Sequence, residues 1–494
     1  MKLYLYGHEY HYAVEQMLLT LFPAERPEYP EGEPAGNRME IRLSRGEKNT
    51  SATCALYQGR SVFHGSARAA NDAMTDALAT DRICQRLVKN AMYRAALRSG
   101  VAKPAWGALT GVRPGKLMAG ILSDSKDEKT ALRRFIAEYD VSPERAGLCL
   151  TTTRQTLRCE ASLEEKDVCL YVGIPFCPTR CAYCSFVSQS VEKSIKLIEP
   201  FLAALEREIA ATAAQVKALG LRPVSIYMGG GTPTTLSAEQ LDRLCTTLEE
   251  QFDLGSLREY TVEAGRPDTI TEEKLRVLRA HGVDRVSVNP QTMSDKVLEN
   301  IGRRHTAADI VTALDKVRAV GGFAVNMDLI AGLPGDSVSG FRDTLEKVLT
   351  LGAENVTVHT LSLKKGSRIT LDQTPLPTAR EVAAMLDYAS ARLTAAGYAP
   401  YYLYRQKFMS GGFENVGWQK GDTVNLYNIC IMEELRSILA MGGGGSTKLI
   451  RPDGGRNIRL MAPKYPLEYV ENIEKTCAEK EKISAFYRDF LKEE

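Results

Sequence analysis

The sequence contains no run of about 18 apolar residues, which excludes a transmembrane helix of ordinary length. Its first residues, MKLYLYGHEYHYAVEQ, lack the apolar core of a signal peptide, because His8, Glu9 and His11 interrupt it. Neither sign of charge dominates: 63 Lys and Arg stand against 61 Asp and Glu. No global field therefore draws in nucleic acid or an acidic membrane, and no nucleic-acid partner is expected. Histidine is scarce, at six residues. Together these shortages lead to the expectation of a cytoplasmic protein without a membrane span.

What is present points to a globular chain of several parts. A length of 494 residues suggests two to four domains, and 44% apolar with 25% charged residues is ordinary for a soluble protein. Eleven cysteines in a cytosolic chain suggest free thiols or metal ligands rather than disulfides. Eight are scattered (Cys54, Cys84, Cys149, Cys159, Cys169, Cys245, Cys430 and Cys477) and read as small buried or half-buried residues. The other three are clustered.

Residues 1–165 read as a separate α+β module. Short alternating stretches at Met39–Leu43 and Ala55–Tyr57 precede a helical pattern from about Ala69 to Leu97, with Gly100 placed to end it. The segment WGALTGVRPGKL (106–117) contains a Gly-Lys pair. Its first glycine is at the wrong spacing for a phosphate loop and Leu117 replaces the Ser or Thr, so it reads as a turn. From Val168, strands alternate with helices for some 230 residues. The expected strands are Val168–Ile174, Val224–Met228, Tyr260–Glu263, Val286–Asn289, Val325–Ile330 and Val356–Leu361. Ser237 with Gln240 and Thr378 with Glu381 form capping boxes, Thr271 leads an acidic first turn, and Gly282 and Gly397 close helices. Six βα units predict a parallel sheet that closes fully or curls into a partial barrel, with the chemistry at the C-terminal strand ends. The expected division is 1–165, a core of 166–398, and a smaller C-terminal accessory region of 399–494.

The first core strand runs into Tyr171-Val-Gly-Ile-Pro-Phe-Cys-Pro-Thr-Arg-Cys-Ala-Tyr-Cys184, a C-x₃-C-x₂-C loop. Three thiolates on one loop hold three irons of a cubane and leave the fourth open to a small molecule. Zinc would want a fourth Cys or His at knuckle spacing, and Cys169, inside the strand, is a poor candidate. The second strand ends in Met228-Gly-Gly-Gly-Thr-Pro233, where glycines let backbone groups approach a ligand.

These two loops resemble a radical S-adenosylmethionine (SAM) enzyme, with a partial (β/α)6 barrel as the implied fold. The fuller set (YVGIPFCPTRCAYCSF, MGGGTPT, VEAGRPD, NPQTMSDKVLENIGRRHT and MDLIAGLPGD) resembles the oxygen-independent coproporphyrinogen III oxidase, or coproporphyrinogen dehydrogenase, family over roughly residues 165–445. The N-terminal module is similar to the branch found in anaerobic and Gram-positive bacteria. The resemblance implies that Cys177, Cys181 and Cys184 hold a [4Fe–4S] cluster. It implies that Tyr171 and Tyr183 flank the cluster-bound SAM, that Gly230, Gly231 and Thr232 contact its methionine end, and that Glu263 contacts the same molecule. Gln291, Arg303 and Asp328 match positions lining a second SAM or the substrate space.

The same resemblance implies oxidative decarboxylation of the propionates of coproporphyrinogen III to the vinyls of protoporphyrinogen IX, in haem biosynthesis. A SAM-derived radical takes a hydrogen from the propionate β-carbon, and loss of CO₂ and one electron leaves the vinyl. A reductant such as flavodoxin or ferredoxin is the implied partner. The decarboxylases carry a Cys where this chain has Phe186 and a His where it has Gly173. Relatives in the family are haem-binding chaperones, which carry a His-Asn pair where this chain has Tyr427-Asn428; His281, His305 and His359 are its histidines in the core region. A radical SAM enzyme on another tetrapyrrole is the third expectation. The stretch YAPYYLYRQK (398–407) reads either as a packed strand or as a surface that stacks on a macrocycle through its tyrosines and pairs propionates through Arg405 and Lys407.

Overall fold

The computed structural model of the chain describes all residues except 185–188, 363–368, 370–373, 407–409, 452–455 and 490–494. Phe186 and Lys407 lie outside the described residues. The chain divides into two compact units, Met1–Leu150 with Gly411–Phe413, and Thr151–Ser410 with Glu414–Glu494.

The first unit holds a four-stranded sheet in the order β1 (Lys2–Tyr6), β2 (Arg38–Arg45), β3 (Asn49–Gln58), β4 (Ser61–Ala70). Alternation puts Met39, Ile41 and Leu43 inward, where they share a core with Cys84, Leu87, Val88 and Ala91 of the helix Ala77–Arg98. That helix starts later than the sequence pattern predicts. β4 continues to Ala70, and the Asp76 side chain caps the helix by accepting from Ala79 N at 2.8 Å. Gly100, at φ +91°, follows its end as expected. Within WGALTGVRPGKL only the first half is a turn; Pro114 opens the helix Pro114–Ser123, at the position where its missing N–H costs nothing.

The second unit is built on one sheet. Six strands sit where the alternation predicts them: β5 (Asp167–Ile174), β8 (Arg222–Gly230), β9 (Glu259–Val262), β10 (Arg285–Ser287), β11 (Ala324–Ala331) and β12 (Asn355–Thr360). They lie side by side, all parallel, in the order β12-β11-β10-β9-β8-β5. Their near-continuous burial is that of strands covered on both faces. The crossover helices are Ile198–Leu219, Ala238–Gln251, Glu272–Ala280, Ala307–Val320 and Val338–Leu351, and Ala379–Ala395 follows β12. The capping boxes at Ser237/Gln240 and Thr378/Glu381 are both formed, and a third, Thr306/Asp309, escaped the sequence reading. Between β5 and β8 a short pair, β6 (Phe176–Cys177) and β7 (Gln189–Ser190), closes the cysteine loop.

Residues after 398 extend this sheet at both edges. β13 (Ala399–Arg405) and β14 (Glu414–Gln419) join antiparallel beside β12. β15 (Ile438–Gly442) runs parallel to β5 as a seventh parallel strand, followed by β16 (Ser446–Leu449) and β17 (Ile458–Met461). Among the described residues no pairing joins β13 to β17. The YAPYYLYRQK stretch is strand β13 over most of its length.

The helix Leu426–Glu433 is the element that sequence periodicity concealed. Asn425 caps it, and its first N–H groups, of Leu426 and Tyr427, donate to the Glu259 carboxylate at 2.6 and 3.2 Å. Arg285 donates to the same carboxylate at 2.8 Å. These bonds seat the helix against the inward-facing side of the strands, in one core with Cys169, Val224, Tyr401 and Tyr402.

Candidate active site

A cavity of about 540 Å³ opens where the parallel strands end. All twelve residues expected to act border it: Cys177, Cys181, Cys184, Tyr171, Tyr183, Gly230, Gly231, Thr232, Glu263, Gln291, Arg303 and Asp328. Strand ends gather residues that are far apart in sequence, because every right-handed crossover returns the chain to the same edge.

The cysteine loop is fixed from several directions. Gly231 N donates to Ile174 O and Thr232 N to Phe176 O, both at 2.7 Å, so the glycine loop and the cysteine loop hold each other. A Cβ on Gly231 would stand 2.3 Å from Phe176 O, and Gly230 adopts φ +103°, so both positions require glycine. Ala182 N donates to Ile301 O at 2.9 Å. Thr232 Oγ1 donates to Cys177 Sγ at 3.7 Å and Arg266 Nη1 to Cys181 Sγ at 3.8 Å. Cys177, Cys181 and Cys184 are half-buried, whereas Cys54, Cys84, Cys149, Cys159, Cys169, Cys245 and Cys430 are buried. Three soft sulfur donors on one cavity, met by protein hydrogen-bond donors, make a ligand set that fits an iron–sulfur cluster with one iron left open. Gly173, where the family's decarboxylases have His, is packed: a Cβ there would stand 3.0 Å from Gly443 O of the β15–β16 turn.

Inward-facing residues of successive strands form the walls. Tyr171, Tyr227 and Tyr427 stack, with ring centroids 4.4 Å apart for Tyr227 and Tyr427 and 6.1–6.4 Å for the other pairs. The Tyr227 hydroxyl donates to Glu263. Burial pushes the Glu263 carboxyl up to about 7, outweighing that hydrogen bond. Asp328 behaves oppositely: burial acts to raise it, but His359, Asn326 and Thr357 hold it below the usual carboxylate range. His359 Nε2 lies 3.7 Å from Asp328 Oδ1, and Asn326 Nδ2 donates to the same oxygen at 2.8 Å. Tyr402 and Tyr404 form a second stack on the cavity at 6.2 Å.

Two expected residues carry marked local geometry. Gln291 is a non-glycine at φ +64°, held there because its N–H donates to Asp328 O at 2.8 Å and its carbonyl accepts from Ile330 N at 3.0 Å. Its side-chain Oε1 is buried without a partner. Arg303 is buried, with Nη1 donating to Asn289 O at 2.5 Å and Nη2 to Tyr183 OH at 3.1 Å.

Of the three core-region histidines, only His359 borders the cavity. His281 is engaged by Asp242 and Glu249, and His305 is buried without bordering the cavity. The sequence reading missed Tyr227, Asn326 and Arg266 at the cavity. Asn326 stands two residues before Asp328, on the same strand face, a period-two signal that marks it. Met432 and Ile431 could not be found without knowing where their helix docks.

The model of the radical SAM superfamily matches residues 171–348. The chain is 39% identical over 380 residues to the oxygen-independent coproporphyrinogen-III oxidase-like protein HemZ of Bacillus subtilis, covering 76% of each chain. It is 32% identical over 250 residues to the haem chaperone HemW of the same organism, covering 50% of this chain and 64% of that one. It is 33% identical over 247 residues to the oxygen-independent coproporphyrinogen III oxidase of Salmonella typhimurium, covering 49% and 53%. The solved structure of coproporphyrinogen III oxidase (HemN) from Escherichia coli, a radical SAM enzyme, shares the fold, with a TM-score of 0.52 and 23% identity over 67% of this chain and 81% of that one.

Proposed function

Because the chain belongs to the radical SAM family of coproporphyrinogen oxidase-like proteins, whose cofactors are a [4Fe–4S] cluster and SAM, we propose that it oxidatively decarboxylates the propionates of coproporphyrinogen III. The observation that carries the reading is a single cavity bordered both by the three cysteines of one loop and by two tyrosine stacks. A site for SAM alone has no need of the second stack.

In this reading Cys177, Cys181 and Cys184 hold the cluster. Bound together, cluster and SAM supply a carbon-centred radical able to take a hydrogen atom from an unactivated carbon. The chain's own residues do the rest. Gly230, Gly231 and Thr232 present backbone groups to the methionine end of SAM, and Tyr171 and Tyr183 flank it. Glu263 receives its ribose hydroxyls or ammonium. Gln291 offers an unpartnered Oε1, while Arg303 and Asp328 place charge beside a second SAM or the substrate. The two tyrosine stacks keep water from the reacting carbon and give a macrocycle flat walls. A one-electron donor of the flavodoxin or ferredoxin kind is the proposed partner. No helix among the described residues is long and apolar enough to cross a membrane.

His359 favours a second reading, in which the cavity carries haem as cargo. Its imidazole faces the cavity beside Asp328, an arrangement that suits an axial ligand. Tyr427 and Asn428, where the chaperones have His-Asn, also line the cavity.

The test is anaerobic turnover of coproporphyrinogen III with reconstituted protein, SAM and dithionite, followed by mass spectrometry. Loss of two carboxyl groups supports the decarboxylase. SAM cleavage with unchanged porphyrinogen contradicts that substrate and points to another tetrapyrrole. Tight haem binding without SAM cleavage, lost in His359→Ala, supports the cargo reading.

A further inference from the structure

Resting on the cluster assignment above, we propose that Arg266 is a positioning residue that sets the electron affinity of the centre held by Cys177, Cys181 and Cys184. Arg266 stands in the VEAGRPD segment after β9, a motif whose arginine no role above absorbs. Arg266 is 3% exposed. Nε and Nη2 donate to the two Asp268 oxygens at 3.2 and 3.4 Å, and this two-point grip turns Nη1 towards the cysteine loop. There Nη1 donates to Thr179 Oγ1 at 3.0 Å and Cys181 Sγ at 3.8 Å.

Burying a guanidinium costs several kcal/mol unless opposite charge and hydrogen bonds offset it. Asp268 supplies one negative charge from a partly exposed position. A neutral thiol adds almost nothing, but a cysteinyl sulfur ligating iron carries negative charge. Asp268 alone offsets the charge from its exposed side, and on the buried side a negative acceptor is present only when Cys181 is a ligand.

Arg303 adds a second buried cation at the same loop, its Nη2 donating at 3.1 Å to the hydroxyl of Tyr183, which stands between Cys181 and Cys184 in the chain. His305 is buried, with neither ring nitrogen hydrogen-bonded, and feels both guanidiniums. Burial and both arginines push it down to about 4, so it adds no third charge and registers the positive field at this place.

When the cluster accepts one electron from an external one-electron donor, its core passes from the 2+ to the 1+ state and its sulfurs become more negative. A fixed cation and an N–H donor on one sulfur favour the reduced state, because cluster potential follows net charge and hydrogen bonds to sulfur. Arg266 thus brings the centre within reach of a weaker reductant. It touches neither SAM nor substrate in this account.

The experiment is an anaerobic redox titration of the reconstituted full-length protein without SAM, followed by electron paramagnetic resonance. Arg266→Gln is expected to shift the midpoint to more negative potential by about 59 mV, a tenfold change in a one-electron equilibrium. Arg266→Lys, which keeps the charge, should fall between it and wild type. A midpoint does not depend on how much cluster is loaded, so partial occupancy leaves the reading intact. If Arg266→Gln binds no cluster, Asp268→Asn carries the test: freed of its counter-charge, the guanidinium should shift the midpoint upward. A midpoint unchanged in whichever variants carry a cluster overturns the inference while leaving the family reading in place. A wild-type protein that takes up no cluster overturns both.

Discussion

Tyr227 donates its hydroxyl proton to Glu263, a bond between inward-facing residues of neighbouring strands on the cavity wall. It does not keep the carboxyl acidic: burial dominates and its pKa stands at about 7. Glu263 is therefore protonated in the free protein below neutral pH, and meeting a cationic ligand requires loss of that proton. SAM affinity is expected to tighten by about tenfold per pH unit up to pH 7 and then level off. Calorimetric titration in buffers of different ionisation enthalpy should show proton release on binding, and Glu263→Gln should abolish both effects. Stability follows the opposite course. A folded-state pKa raised from 4.5 gives stability that is full below 4.5 and lost as pH rises to about 7. Glu263→Gln should remove that part of the slope in Tm against pH.

The contact between Gly231 and Phe176 O leaves no room for a methyl group. Gly231→Ala must push the cysteine loop away from the glycine loop, at a cost of about 1–3 kcal/mol. Iron content after reconstitution should fall while far-ultraviolet circular dichroism stays unchanged. Full iron content in this variant would show that the loops move independently.

Tyr427 closes the stack against Tyr227, with centroids 4.4 Å apart. Tyr427→Leu removes a ring on which the macrocycle stacks, a contact worth about 0.5–1.5 kcal/mol, and tetrapyrrole affinity should fall about two- to twelvefold. Tyr427→Phe keeps the ring and should bind as wild type. Fluorescence-quenching titration with coproporphyrin measures both variants.

A separate cluster of charges holds the end of the chain. Glu208, fully buried, pairs with Lys480 at 2.7 Å and accepts from Gly442 N at 2.7 Å and from the Tyr469 hydroxyl. Lys480 Nζ also donates to Ala440 O at 2.6 Å. Lys480→Met strands a buried carboxylate and should destabilise the second unit by about 3–5 kcal/mol in urea unfolding. Since Gly444 and Ser446 border the cavity, SAM affinity should weaken as well. Unchanged stability would mean that Glu208 finds other partners.

Much of the second unit was legible because local signals agree with the fold. Val224–Met228 and Val325–Ile330 are short, apolar runs between capped helices, and both are strands within a residue or two. The cysteine and glycine loops were legible because their spacing has few uses. The edges of the sheet were not. Ile438–Gly442 is fully buried beside β5 only because distant β5 needs a neighbour, and no local pattern announces that. Leu426–Glu433 is nearly apolar all round, so it carries no face that would orient it. Arg266 has no role assigned from the sequence; only the fold brings it to Cys181.

Cys177, Cys181 and Cys184 are expected to form a centre that cleaves SAM. The most direct test reconstitutes the wild-type protein and Cys181→Ala anaerobically, supplies SAM and dithionite, and quantifies 5′-deoxyadenosine by liquid chromatography and mass spectrometry. Wild type is expected to form 5′-deoxyadenosine and Cys181→Ala to form none. Wild-type protein with a full cluster and no 5′-deoxyadenosine, or cleavage that survives Cys181→Ala, would contradict it.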